Sequence, residues 1–372
     1  MKNIYLDYNA STPIAQEVKE AILPYLDTGY GNPSALHYEG VKAKEAVEKA
    51  RKQVAELINA SADEIIFTSG GSESNNHVLK GVFHTFQNKG KHIITTKIEH
   101  PAILNPCQYL ESIGAKVTYV GVDYYGRVNP ADIEKAITDE TILISVMHSN
   151  NEVGTLQPIV EIGTIARKHG VLFHTDASQS IGKVPIDVKE LNVDFLTIAG
   201  HKVYAPKGVG ALYIRDGIEI ESFMHGAGHE KGRRAGTENI LLDVGLGKAC
   251  ELAKEQLPKN QEIQKVRDYF WKQLQAEFGE NISLNGHPDF RLPNTLNVNF
   301  IGKIGQDILS SIPQLAASTG SACHSGEVNL SPVLNAMNVS EREGMGAIRF
   351  SLGRKTTKEE IDQVVEWLKN VV

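Results

Sequence analysis

Short apolar runs rich in β-branched residues alternate with amphipathic stretches along most of the chain. EIIFTSG, KHIITTKI, KVTYVGV, TILISVMHSN, VLFHTD, FLTIAG and GALYIR have the length and composition of buried strands. Between them, EGVKAKEAVEKARKQVAELIN and PIVEIGTIARKHG repeat apolar residues at three-to-four spacing, the pattern of a helix with one buried face. Such alternation predicts a mostly parallel sheet covered by helices on both faces. Near residue 250 the pattern changes. A long polar helix, CELAKEQLPKNQEIQKVRDYFWKQLQAEFG, broken or kinked at Pro258, leads into the strand-like PNTLNVNFI. TKEEIDQVVEWLKNVV closes the chain as a helix, with Thr357 or Thr356 as its N-cap and glutamates in its first turn. The expected organisation is a large α/β domain over residues 13–255 and a smaller α+β domain built from 256–372 with residues 1–12.

At 372 residues, with 41% hydrophobic and 22% charged residues, the composition is that of a globular enzyme of two domains. A net charge of −7 offers no basic field for nucleic acid or an anionic membrane surface. No apolar run approaches the roughly 20 residues that span a bilayer. Polar residues come too early in MKNIYLDYNASTP for a secretory leader, so a cytoplasmic location is expected. The three cysteines are too scattered for a disulfide framework or a metal site, and no metal is expected. Cys107 and Cys250 lie in helix-like segments, where a small buried thiol is the ordinary role. Cys323 instead lies in AASTGSACHSGEVNLSP, a stretch of small and polar residues that suits a reactive nucleophile, with His324 favouring the thiolate.

In an open parallel sheet, ligands bind at the carboxyl ends of the strands. TSGGSES, MHSNNE, HTDASQ and AGHK all stand at such ends. Asp176 closes the run VLFHTD, and Lys202 follows the run FLTIAG. A carboxylate for a pyridine nitrogen and an amine for a Schiff base are what a protein supplies to pyridoxal phosphate. FTSGGSESNN places a Gly-Gly-Ser turn before a helix expected to begin near Glu73, which serves either as a phosphate site or as a plain connecting turn. His100 is either an ordinary strand-end histidine or an imidazole stacked on a cofactor ring. Asn150 and Asn151 could donate to a ring or carboxylate oxygen, or form an Asx turn. Gln179 could reach the same ring oxygen. No GxxxxGK[ST] occurs and GAGHEKG lacks a dinucleotide fingerprint, which disfavours a nucleotide cofactor.

Taken together, IYLDYNASTP, GNPSALH, FTSGGSESNN, EHPAIL, NNEVGTLQPI, HTDASQSIGKVPID, GHKVYAPKGVGALY, RRAGTEN, STGSACHS and IRFSLGRKTTKEEID run through nearly the whole chain. In their order and spacing the chain resembles the fold-type I pyridoxal phosphate enzymes of the aminotransferase class V group, specifically the cysteine desulfurases and selenocysteine lyases. The resemblance implies a seven-stranded, mostly parallel sheet in the large domain and a catalytic-cysteine loop in the small one. It implies that Lys202 binds the cofactor and shuttles protons, that Asp176 pairs with the ring nitrogen, and that His100 stacks on the ring. It places Asn151 and Gln179 on the ring oxygen. Gly71, Ser72 and His201 would hold the phosphate, with Thr237 reaching over from a second subunit of a homodimer. Arg349 and Asn151 would contact the substrate, and Asn32 would border it. Cys323 would take sulfur from L-cysteine as a persulfide, leaving L-alanine, and pass it to an acceptor such as an iron–sulfur scaffold or a tRNA-thiolation enzyme.

One position departs from the pattern. Iron–sulfur-type desulfurases carry a serine where this chain has Ala199, so one phosphate hydroxyl must be replaced. TIAGHK, GAGHEKGRRAGTEN and ACHS look more like the selenocysteine lyase branch, whose substrate is L-selenocysteine. The glycine-rich loop around Cys323 favours the desulfurase.

Overall fold

The computed structural model describes residues 3–319 and 329–372; Cys323 and His324 lie outside the described residues. Seven strands form the main sheet: β1 (Ile65–Thr68), β2 (His92–Thr96), β3 (Lys116–Val120), β4 (Thr141–Ser145), β5 (Leu172–Asp176), β6 (Phe195–Ala199) and β7 (Gly210–Ile214). Their order is β1-β7-β6-β5-β4-β2-β3. Every neighbouring pair from β6 to β3 is parallel, whereas β7 runs antiparallel to both β1 and β6. The residues between β6 and β7 are too few for a crossover helix, so the chain can only turn back on itself.

Apart from the edge strand β3 and the first residue of β5, Leu172, the strands are buried from end to end, which explains why they read as continuous apolar runs. One face packs beneath α1 (Tyr38–Leu57), α4 (Ile159–His169) and α5 (Ile240–Gln256). The other lies under α2 (Gly71–Phe86) and α3 (Pro101–Ser112). The turn from β1 into α2 is tight because Gly70 takes φ 146°, a value that side chains disfavour. Gly210 lies against it, where a Cβ would fall 2.7 Å from Gly70 Cα.

A second antiparallel sheet comprises β8 (Ile282–Asn285), β9 (Thr295–Phe300) and β10 (Ala347–Ser351), with β9 in the centre. It packs on α6 (Asn260–Phe278) and α7 (Lys358–Lys369) around its own core, where Phe270 meets Phe350 edge-on at 5.0 Å. A turn of 3-10 helix at Leu257–Lys259 separates α5 from α6, at the position of Pro258. Thr357 caps α7 in a reciprocal box with Glu360. The N-terminal strand Ile4–Tyr5 pairs parallel with Leu315–Ala316 in this half of the molecule. From there residues 7–12 pass across the carboxyl edge of the seven-stranded sheet, bonding to Ser351 on one side and His201 on the other.

Candidate active site

A cavity of about 640 Å³ opens where the carboxyl ends of β1, β4, β5 and β6 meet residues 9–11 and Arg349 of β10. Lys202, Asp176, Gln179, Asn151, His100, Gly71, Ser72, His201 and Arg349 all line it. The structure therefore gathers nine of the residues singled out in the sequence around one space.

Lys202 stands one turn beyond β6, and its Nζ donates to the backbone carbonyls of Asn9, at 2.6 Å, and Ala10, at 2.8 Å. Burial, followed by the charge of Arg349, lowers its pKa to about 8, against the pull of Asp176 and Asp7. A pKa near 8 leaves about a tenth of the amine unprotonated at pH 7, roughly 300-fold more than for an ordinary lysine. That is the state a nucleophilic amine needs.

Asp176 ends β5 with its carboxylate buried. Oδ2 accepts from Asn75 Nδ2 at 2.7 Å, and Oδ1 accepts from the Ser178 N–H at 2.9 Å. Both bonds fix its direction. Beside it, Gln179 Nε2 donates to the Asn9 carbonyl at 2.9 Å, and Gln179 Oε1 accepts from Lys183 Nζ at 3.0 Å. The two asparagines after β4 have separate roles. Asn150 forms an Asx turn, its Oδ1 accepting from the Glu152 and Val153 N–H groups, while Asn151 is the one that lines the cavity.

At the opposite wall α2 begins at Gly71, two residues before Glu73, so its first free N–H groups face the cavity. A Cβ on Gly71 would come within 3.1 Å of Ser178 Oγ and 3.4 Å of Ala199 Cβ. The Ser178 hydroxyl thus lies beside the position where Ala199 lacks one. Burial, then the charges of Lys202 and Lys207, lowers the pKa of His201 to about 4, leaving a neutral N–H donor. Burial opposes ionisation of Glu73, yet bonds from Arg234 and Ser69 hold its carboxylate below the usual range. Arg234 so masks the negative charge of Glu73 beside this helix start.

His100 caps α3, its Nδ1 accepting from the Ala102 N–H at 3.0 Å. Burial lowers its pKa, opposed by Asp176 and aided by Lys202, and because Nδ1 accepts, the neutral ring carries its proton on Nε2. Arg349 Nη2 pairs with Asp7 at 2.7 Å and Nη1 donates to the Asn151 carbonyl at 3.0 Å, while its buried Nε has no partner among the described residues. Two residues do not join this cavity within one chain. Asn32 is exposed and bonded to the Ser34 N–H, and Thr237 lines an adjoining cavity of about 210 Å³ that shares Ser69 and Gly208 with the first.

Asn9, Lys183, Asn75, Asp7 and Ser178 belong to the site although sequence motifs did not single them out. All five stand inside quoted motifs, and Lys183 is the lysine of HTDASQSIGKVPID. Among the described residues, no group of three or more His, Cys, Asp and Glu side chains could hold a metal ion. Nor is any described helix long and apolar enough to cross a membrane.

Residues 4–364 match the sequence profile of the family described as Aminotransferase class-V. The chain is 46% identical to the cysteine desulfurase IscS of Dictyoglomus turgidum, with 100% of this chain and 95% of that protein aligned. A solved NifS-like protein superposes with a TM-score of 0.93 at 37% identity, covering 99% of both chains. A second solved structure, SspA in complex with cysteine, superposes with a TM-score of 0.83 at 40% identity, covering 94% of this chain and 98% of that one. With a depressed lysine amine facing a buried aspartate at the sheet edge, and this identity over its whole length, the chain belongs to the cysteine desulfurases of the class-V aminotransferase family.

Proposed function

We propose that this chain is a pyridoxal phosphate-dependent cysteine desulfurase that converts L-cysteine to L-alanine and retains the sulfur on Cys323 for an acceptor protein. The observation that carries this reading is the meeting of the Lys202 amine, the Asp176 carboxylate and the bare start of α2 around one cavity. The residues fit the cofactor: an anion-binding helix start at one end, a fixed carboxylate at the floor, and an amine between them. When bound there, pyridoxal phosphate supplies an electron sink for the bonds around the substrate α-carbon.

The protein's own groups divide the remaining work. Lys202 would hold the cofactor and, as a free amine, would move protons to and from the substrate α-carbon, while the Asn9 and Ala10 carbonyls hold its ammonium. Asp176, fixed by Asn75, keeps a proton on the ring nitrogen. Gly71, Ser72 and His201 bind the phosphate, with the Ser178 hydroxyl taking the place that Ala199 leaves vacant. His100 covers the ring and offers its Nε2 proton. Asn151 and Gln179 address the ring oxygen. Arg349, already oriented by Asp7, turns its remaining N–H groups to the substrate carboxylate. The Cys323 thiolate attacks the substrate sulfur, so an S–S bond forms as the C–S bond breaks. The electron pair of that C–S bond stays with the carbon skeleton, which takes up a proton and departs as alanine.

Asn32 and Thr237 serve the partner's site in a homodimer. Leu23, Leu26, Tyr30, Leu36 and Tyr38, all near Asn32 in sequence, are exposed apolar side chains that a dimer would cover, and light scattering tests the dimer. A cytoplasmic setting suits Cys107 and Cys250, both buried as free thiols. The function is tested by alanine release from L-cysteine and L-selenocysteine side by side, for wild type and Cys323→Ala. Turnover of cysteine that is lost in the variant supports the reading; turnover of selenocysteine alone makes the protein a selenocysteine lyase.

A further inference from the structure

Behind Lys202 lies a second lysine that the reaction does not use. Lys183 is half-buried, and its Nζ donates to Gln179 Oε1 at 3.0 Å and to Asn9 Oδ1 at 3.2 Å. Its backbone is pinned as well, because Asn260 Nδ2 donates to the carbonyls of Gly182 and Lys183, both at 2.9 Å. Burial, then the charges of Lys202 and Arg349, holds its pKa well below the lysine range. Protonated or neutral, the amine keeps the two N–H groups that these two acceptors require.

The consequence falls on Gln179. An amide side chain can face either way, and only its partners decide which end is oxygen. Here both ends are decided. The Asn9 carbonyl can only accept, so the Gln179 NH₂ must face it; the Lys183 amine donates, so the Gln179 oxygen must face that. Asn9 cannot rotate to release either partner. Its Nδ2 is held by Thr295 Oγ1 and the Asn151 carbonyl, and its Oδ1 also accepts from Asn294 Nδ2. One N–H of Gln179 is spent on Asn9, which leaves the second for the cavity that this residue lines.

We propose that Lys183 is a positioning residue of the cofactor site, locking the Gln179 amide so that it presents a donor, never an acceptor, to the cavity. The proposal rests on the reading that Gln179 addresses the ring oxygen. Without Lys183 the buried oxygen of Gln179 loses its donor, and the amide is held by the Asn9 carbonyl alone, so its second N–H is no longer aimed firmly into the cavity.

The test uses the loaded protein and two readouts other than turnover. One is the pH midpoint of the visible absorbance of the bound cofactor, and the other is cofactor affinity by equilibrium dialysis. Lys183→Met, Gln179→Leu and the double variant are compared. K183M is expected to shift the midpoint in the same direction as Q179L and to weaken cofactor binding about tenfold, the effect of one hydrogen bond. The double variant should be no worse than Q179L alone. A wild-type midpoint in K183M beside a shifted one in Q179L overturns the role of Lys183, as do additive shifts. An unshifted Q179L overturns the reading of Gln179 itself, and the proposal with it. Should K183M fail to fold, K183Q retains N–H donors. A midpoint near wild type in K183Q supports the lock, and one matching Q179L overturns it.

Discussion

Two regions build the same cavity by different means. The carboxyl edge of the seven-stranded sheet contributes Gly71, His100, Asn151, Asp176 and Lys202, each within a few residues of a strand end. The seam between this sheet and the smaller one contributes Asn9, Asp7, Lys183 and Arg349, whose partners come from distant parts of the chain. Asn9 and Lys202 are separated by 193 positions, and Asp7 and Arg349 by 342. The edge supplies reacting groups, and the seam sets their direction and charge. A catalytic edge assembled from turns is therefore only as well placed as the polar seam that closes over it.

Substitutions separate the two contributions. Lys202→Ala removes the amine from the edge and should lower alanine release about 10³-fold or more while leaving the urea midpoint near wild type. Asn9→Ala does the reverse. It strips acceptors from Lys183 and Asn294 and a donor from Thr295, all in buried surroundings, so it should cost about 3 kcal/mol in urea unfolding. Its effect on turnover follows from misplacing Lys202 and Gln179 rather than from removing a reacting group.

The edge has one costly element of its own. Glu99 is buried beneath the turn to His100, its Oε1 accepting from Thr96 Oγ1 at 2.7 Å and the Met147 N–H at 2.9 Å. Burial raises its pKa to about 8, and its Oε2 has no partner among the described residues. A carboxyl whose folded pKa lies above its unfolded value favours the folded state fully only below the unfolded pKa. That contribution is lost as pH rises from about 4.5 toward about 8. Glu99→Gln keeps an acceptor without the titration, so its stability relative to wild type should rise between pH 5 and pH 8, as paired urea melts would show. The smallest effect is expected far from both regions. Thr357→Ala removes the α7 cap and should cost about 1 kcal/mol with turnover unchanged.

The contrast also explains what was legible in the sequence. The seven strands were readable because burial on both faces makes each a continuous apolar run, and Asp176 and Lys202 because they follow such runs directly. The start of α2 lay two residues earlier than its acidic first turn suggested, since Gly70 permits a sharp turn that composition does not mark. Lys183 follows Ser180, Ile181 and Gly182 with no pattern around it that marks a buried amine. Nothing local shows that Asn9 will meet it. Ala199 read as a missing hydroxyl, yet Ser178 stands beside it because the turn after β5 folds back toward Gly71. Hydrogen bonds between distant segments carry no local signature, so the seam appears only in three dimensions.

The most direct test of the account is a single turnover with sulfur-labelled L-cysteine on the loaded enzyme, followed by rapid desalting and treatment with a thiol. The account predicts that label stays on the protein in the same amount as alanine is released, that a thiol frees it, and that Cys323→Ala retains none. Alanine released without label on the wild-type protein, or label retained by Cys323→Ala, would contradict it.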